Sequence, residues 1–140
     1  MAIAAAFMNL GIHVALTPMH LSEMPYIGVL FVIASGLLGV VVVGLASDRD
    51  RLRTAAWMGG SAVCAAAFIA FVISRTSGLP LGYHEAWMGA IEDLLGLTCL
   101  FLELVFLGCA AISLSRQERV PTAGRTRTWM PLHDRTASLP

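Results

Sequence analysis

The sequence predicts an all-α polytopic membrane protein, with four transmembrane helices in a compact bundle and a disordered C-terminal tail. Three observations carry that prediction. Of 140 residues, 57% are hydrophobic and only 13% charged, whereas a soluble domain carries about a quarter charged residues; the mean hydropathy is +0.77. Charge is also segregated, since residues 1–22, 24–47 and 54–74 hold no Asp, Glu, Lys or Arg. Runs of roughly 20 apolar residues are what a helix needs to cross about 30 Å of hydrocarbon. Within lipid every backbone N–H and C=O has to be paired inside the segment, so these runs must be helical. The short alternating segments of a transmembrane β-barrel are not seen in the sequence.

The first span is expected over about residues 2–16, with Pro18 as its end or a kink. It has the length of a signal-peptide core. It lacks a basic leading segment, however, and no cleavage site follows, so it reads as a span; a start further upstream is also open. A polar link over residues 17–25 ends in Pro25, which suits the first turn of the next helix because its missing N–H is harmless there. The second span covers about 26–46, and a compact charged loop, 47–54, leads to the third, 55–74. Gly59, Gly60, Ser61, Ala65, Ala66, Ala67 and Ala70 suit close packing in lipid, and Gly28, Ser35, Gly36 and Gly39 offer a matching face, so the second and third helices are expected to pair tightly. The next link holds Ser77-Gly78-Leu79-Pro80 and Gly82, which is turn chemistry. Tyr83 and Trp87 are interfacial residues ahead of a fourth span over about 89–114. Residues 1–115 thus form one transmembrane domain. Residues 116–140 form a cytoplasmic tail, rich in Arg, Thr and Pro and too poor in apolar side chains to fold alone.

Orientation follows from arginine, which supplies every basic residue. Arg49, Arg51 and Arg53 lie in the middle loop and five more in the tail, against Arg75 alone on the opposite side. The positive-inside rule places both termini in the cytoplasm, with the chain multi-pass. A net charge of zero gives no basic footprint for nucleic acid. The expected partners are the lipid bilayer and other membrane protein subunits or a second copy. Cys64, Cys99 and Cys109 fall inside apolar runs and are odd in number, so they read as small packing residues and not as a disulfide framework.

Ionisable residues at membrane depth cost at least ~2.5–3.5 kcal/mol, so they face a cavity, a partner or an ion. Glu103 is the sharpest such residue, flanked on both sides by long apolar stretches. Glu92 lies 11 residues earlier, close to three turns, which puts the two carboxylates on one face about 16 Å apart; Asp93 is rotated away. Glu92, Asp93 and Glu103 are therefore candidates for a proton or cation path, and the bland alternative is a protonated or His13-paired carboxyl that holds the bundle together. A second cluster comprises His13, His20, Glu23 and His84. Histidine with carboxylate suits zinc or iron, and the nearby Met19, Met24 and Met88 would instead suit copper; copper or zinc are the expected metals. The bland alternative is a set of wet interfacial residues, and no dense metal spacing such as HExxH or CxxC is present. A bis-histidine haem needs ligands from facing helices, and only His13 lies within an expected span. No nucleotide loop, nucleophile elbow or zincin motif occurs, so catalysis is the least supported class.

The segment from His13 through Pro18-Met19-His20-Leu21-Ser22-Glu23-Met24-Pro25-Tyr26-Ile27-Gly28, with Gly78-Leu79-Pro80-Leu81-Gly82 and the acidic fourth helix, resembles small uncharacterised bacterial four-helix integral membrane proteins. The likeness covers about residues 8–110 and implies the fold but no reaction. Two functional expectations follow from the residues themselves. One is an accessory or structural subunit of a larger membrane complex, suggested by small size and small-residue faces. The other is a metal-handling or proton- or cation-conducting protein built on the His and Glu residues of the non-cytoplasmic side.

Overall fold

A computed structural model describes residues 1–85, 87 and 91–118, excepting the side chains of Glu92 and Glu118. Its long helices are α1 (Ala2–Glu23), α2 (Pro25–Leu45), α3 (Asp50–Thr76) and α4 (Ile91–Glu118). All four are long and apolar enough to cross a membrane. Large apolar side chains lie exposed along them, among them Val29, Val32, Ile33, Leu37, Val40 and Val43 on α2 alone. A surface so covered with apolar groups is suited to hydrocarbon and not to water.

The α1–α2 corner shows how local chemistry sets the topology. A residue before proline is pushed out of the α region, and Met24, which precedes Pro25, is extended at φ −144°, ψ 97°. That one residue breaks the chain into two antiparallel helices, with Pro25 at the first position of α2. Pro18 does not end α1. The helix runs on to Glu23, past the expected end near residue 16. Pro18 deprives the Val14 carbonyl of its usual donor, and helices in lipid tolerate this when side-chain hydroxyls join the backbone network. Thr17 Oγ1 donates to His13 O at 2.7 Å, and Ser22 Oγ to Met19 O at 2.7 Å. His20 and Glu23, expected in a polar link, therefore belong to the helix.

The charged loop is shorter than expected because α3 begins at Asp50. A carboxylate in the first turn is favoured by the helix dipole, and Asp50 also pairs with Arg53 at 2.5 Å. Gly78, in the left-handed region at φ 81°, terminates α3 by donating its N–H to Ile73 O at 2.8 Å. A short 3₁₀ turn, Pro80–Gly82, follows, closed by a Leu79–Tyr83 bridge. Ala86 and residues 88–90, where the fourth span was expected to begin, lie outside the described residues, as does the tail beyond Glu118.

The helices form a ring in which α1 packs on α2 and α4, and α3 packs on the same two. Among the described residues the diagonal pairs α1/α3 and α2/α4 make no backbone approach. The ring therefore has an axis that side chains either fill or leave open. Near the chain start and the α2–α3 loop it is filled by Ala2, Ala6, Val41, Leu45, Ala56, Cys64, Phe106 and Ala110, backed by Trp57. Gly60 lets α3 approach Phe106 and Val41 there, and Gly44 faces Ala56. The tight α2–α3 pairing is thus made by Gly44 and Gly60, while Gly36, Gly39 and Gly59 have open space where a side chain would point. Gly28 packs instead on Leu21 of α1.

Candidate functional site: a blind cavity with His20, His13 and Glu103

Toward the opposite end, where the α1–α2 corner and the α3–α4 link lie, the axis is open. A cavity of about 160 Å³ is lined by all four helices and by the link. Small interior residues make the room: Ala34 on α2, Ala67 and Ala70 on α3, and Gly96 on α4. Its wall is mostly apolar, and the polar exceptions are His13, His20, Ser74, Tyr83, Glu85 and Glu103.

Glu103 lies at its inner limit and is 2% exposed. The side chain of Asn9 lies beside its carboxyl, and Oε2 has no hydrogen-bond partner. The expected partner was His13. His13 instead bonds through Nδ1 to Asn9 O at 3.0 Å. A backbone carbonyl only accepts, so Nδ1 carries the proton and, in the neutral ring, Nε2 is left as an acceptor. Asn9 and His13 are four apart and so share a face of α1, which is how one helix addresses both the carboxyl and the cavity. Asn9 was missed as a functional candidate although it is the polar residue of an otherwise apolar stretch.

His20, two turns above His13, is buried. Its Nδ1 lies 3.8 Å from Glu23 Oε2, too far for a hydrogen bond, and has no hydrogen-bond partner. The reading of His20 as a wet interfacial residue is corrected here: continuation of α1 past Pro18 turns the ring inward. Phe31 of α2 packs between the two histidines, with ring centroids 5.1 Å from His13 and 4.3 Å from His20.

The link folds over this end and is held by Arg75, whose side chain is 4% exposed. Its guanidinium meets Asp93 Oδ1 at 2.5 Å and Glu85 Oε1 at 3.0 Å, and it lies over the rings of Phe71 and Trp87. Glu85 N donates to Ser74 O at 3.1 Å, and Tyr26 Oη donates to Pro80 O. Tyr83 lies close to Glu85; burial first, then the nearby carboxylates of Glu85 and Glu23, push its phenol up to about 12. A second, smaller space of about 40 Å³, lined by His20, Arg75 and Glu85, lies under this link.

The sequence-derived candidates therefore divide. His13, His20 and Glu103 converge on one cavity. Asp93 belongs to the Arg75 clamp, Glu23 is exposed at the end of α1, and His84 is exposed on the link. Glu92 lies in the first turn of α4, but its side chain is outside the described residues. Among the described residues no three His, Cys, Asp or Glu gather as a metal site, so the copper or zinc expectation finds no ligand set here. Comparison with known proteins returns no matching family model, no matching curated protein and no matching solved structure.

Proposed function

We propose that this is a membrane-embedded binding protein whose cavity takes a small, largely apolar molecule carrying one or more hydrogen-bonding groups. The observation that carries the reading is the combination of an apolar chamber with buried polar atoms that make no hydrogen bond, His20 Nδ1 and Glu103 Oε2. Binding sites are typically apolar hollows with a few polar groups that fix orientation, and an unpartnered buried polar atom costs about 1–3 kcal/mol that a ligand can recover. The file of His20, His13 and Glu103 stops against the Phe106 plug. A blind chamber favours binding over a through-path for protons or cations in a single copy.

The bacterial cytoplasmic membrane with cytoplasmic termini is part of the same proposal. Among the described residues Arg49, Arg51, Arg53 and Arg116 lie at the plugged end, and the one arginine at the other end, Arg75, is neutralised by Asp93 and Glu85, which supports the positive-inside assignment. A second reading, that the bundle serves as an accessory subunit, rests on Gly36 and Gly39 of α2 and Gly59 of α3. These face open space, as small residues do at helix–helix contacts in lipid. Crosslinking in native membranes tests it: a partner joined at α2 or α3 is expected, and recovery of monomer alone counts against it.

The binding reading is tested by purifying the chain in mild detergent, extracting it with organic solvent and identifying what is released by mass spectrometry. Wild type is expected to release a lipid-soluble molecule in near-stoichiometric amount, and the His20→Leu, Glu103→Leu variant much less. Equal release from both would remove the cavity as the site.

A further inference from the structure

The cavity has three conceivable ways out, and the structure treats them differently. Toward the plugged end the way is closed by Phe106, 1% exposed, together with Val41 and Cys64. Toward the link the way is covered by the segment that Arg75, Glu85, Ser74 and Tyr26 tie down, and the space beneath it, about 40 Å³, has room for water but not for a ring. The third way is sideways. Leu30 of α2 lines the cavity and is also 51% exposed, so the chamber reaches the lipid-facing surface beside it. Beside the larger Ile27, Phe31 and Phe71 and the polar Ser74, the lining of α2 and α3 includes three alanines, Ala34, Ala67 and Ala70. The glycine contacts that hold α2 and α3 together, at Gly44 and Gly60, belong to the other end of these helices.

We infer that the ligand enters and leaves sideways from the bilayer, between α2 and α3, through a portal of Ala34, Ala67 and Ala70 with Leu30 as its movable edge. This rests on the reading of the cavity as a binding site and adds the class of ligand: a bilayer-soluble molecule with a rigid part about one ring in size. The volume supports the size, since an apolar protein cavity of roughly 150 Å³ accommodates benzene. The chemistry supports the class. The portal offers no polar side chain to a water-borne solute, whereas His20, His13 and Glu103 await a hydroxyl or carbonyl once inside. The smaller space under the link, bordered by Glu85 and His20, is large enough for water.

The test uses the full chain in phosphatidylcholine vesicles with 4-azidophenol, a single-ring probe that partitions into lipid and crosslinks on a flash of light. Labelled peptides are mapped by mass spectrometry as the interval between mixing and flash is varied. Wild type should be labelled on α1 and α4 around His13, His20 and Glu103, in competition with excess phenol. The Ala67→Phe, Ala70→Phe variant should reach that labelling at least tenfold more slowly, and Leu30→Ala should reach it faster. Should the double variant fail to fold, Leu30→Ala alone decides, because widening the edge must speed entry. Unchanged rates in a folded portal variant would overturn lateral entry while leaving the binding site standing. Absence of cavity labelling in wild type would overturn the binding reading itself, and the portal with it.

Discussion

Two adjacent glycines of α3 should respond oppositely to the same substitution. A Cβ at Gly60 would lie 2.5 Å and 2.8 Å from Phe106 Cζ and Cε1, and 2.9 Å from Val41 Cγ1. Carbon contacts are comfortable at about 3.5–4.0 Å. The ring of Phe106 cannot simply step back, because it is fully buried and packs on Trp57 with centroids 5.5 Å apart. Overpacking of this kind costs roughly 1–3 kcal/mol, against a gain of at most about 1 kcal/mol from replacing glycine by alanine inside a helix. Gly60→Ala is therefore expected to destabilise by up to ~2 kcal/mol. Gly59 has nothing within 4 Å of its Cβ position, so Gly59→Ala keeps only the gain, up to about 1 kcal/mol. The helix term cancels between the two variants, and their difference isolates the clash at roughly 1–3 kcal/mol. Reversible unfolding in mixed micelles, followed by helical circular dichroism against denaturing detergent, measures both. Phe106→Leu in the Gly60→Ala background should recover part of the loss through direct coupling. Equal shifts for the two alanine variants, or no recovery with Leu at 106, would refute the close approach of α3 to α4 at the plug.

Other expectations use the same unfolding measurement. Arg75→Gln should cost about 3–5 kcal/mol, because it strands the Asp93 and Glu85 carboxylates against the link, and adding Asp93→Asn should restore part of it; additive losses would speak against the clamp. Glu103→Gln keeps a hydrogen-bonding group beside Asn9 while removing a group that is costly to ionise in lipid, so stability should hold or rise. Glu103→Leu takes that group away from a buried polar neighbour and should lose about 1–3 kcal/mol; the reverse order of the two variants would contradict the placement of Asn9 beside Glu103. Tyr83 is held neutral up to about 12 against an ordinary value near 10. The folded state then prefers the phenol, so this contribution is intact below about pH 10 and is lost as pH rises through about 12. Phenolate absorbance should show that late titration and lose it in Tyr83→Phe, and a normal titration in wild type would show Tyr83 to be solvated.

How much of this was legible in the sequence depends on which physical signal each feature leaves. The four helices were legible because uncharged runs are long and unambiguous, and the Met24–Pro25 corner because proline restricts its predecessor. Pro18 misled in the other direction. Its effect on one hydrogen bond is local, but the need to keep backbone groups paired in lipid acts on the whole segment, and α1 continues far enough to carry His20 into the interior. Helix periodicity turns Asp93 away from Glu103, but its attachment to Arg75 is a contact between helices that spacing along one helix cannot report.

The division of the bundle into plug and chamber was the least legible feature, and the reason is geometric. Every layer of the ring is built from apolar or small residues, so composition looks alike from end to end. What differs is which of them point at the axis. At one end these include Phe106, Val41 and Leu45; at the other, Ala34, Ala67, Ala70 and Gly96 leave space among larger lining side chains such as Phe31, Phe71 and Leu100. Further large side chains at that level, Val29, Val32 and Ile33, point outward. A rotation of about 100° per residue separates filling the axis from facing lipid, and an all-apolar helix carries no polar face to reveal that rotation. Its sequence announces burial in the membrane while staying silent on which side meets its neighbours. The polar residues supply the missing phase. Asn9, His13 and His20 define the inward face of α1, and Glu103 that of α4, so rare polar groups in such a protein locate the axis before any apolar residue does.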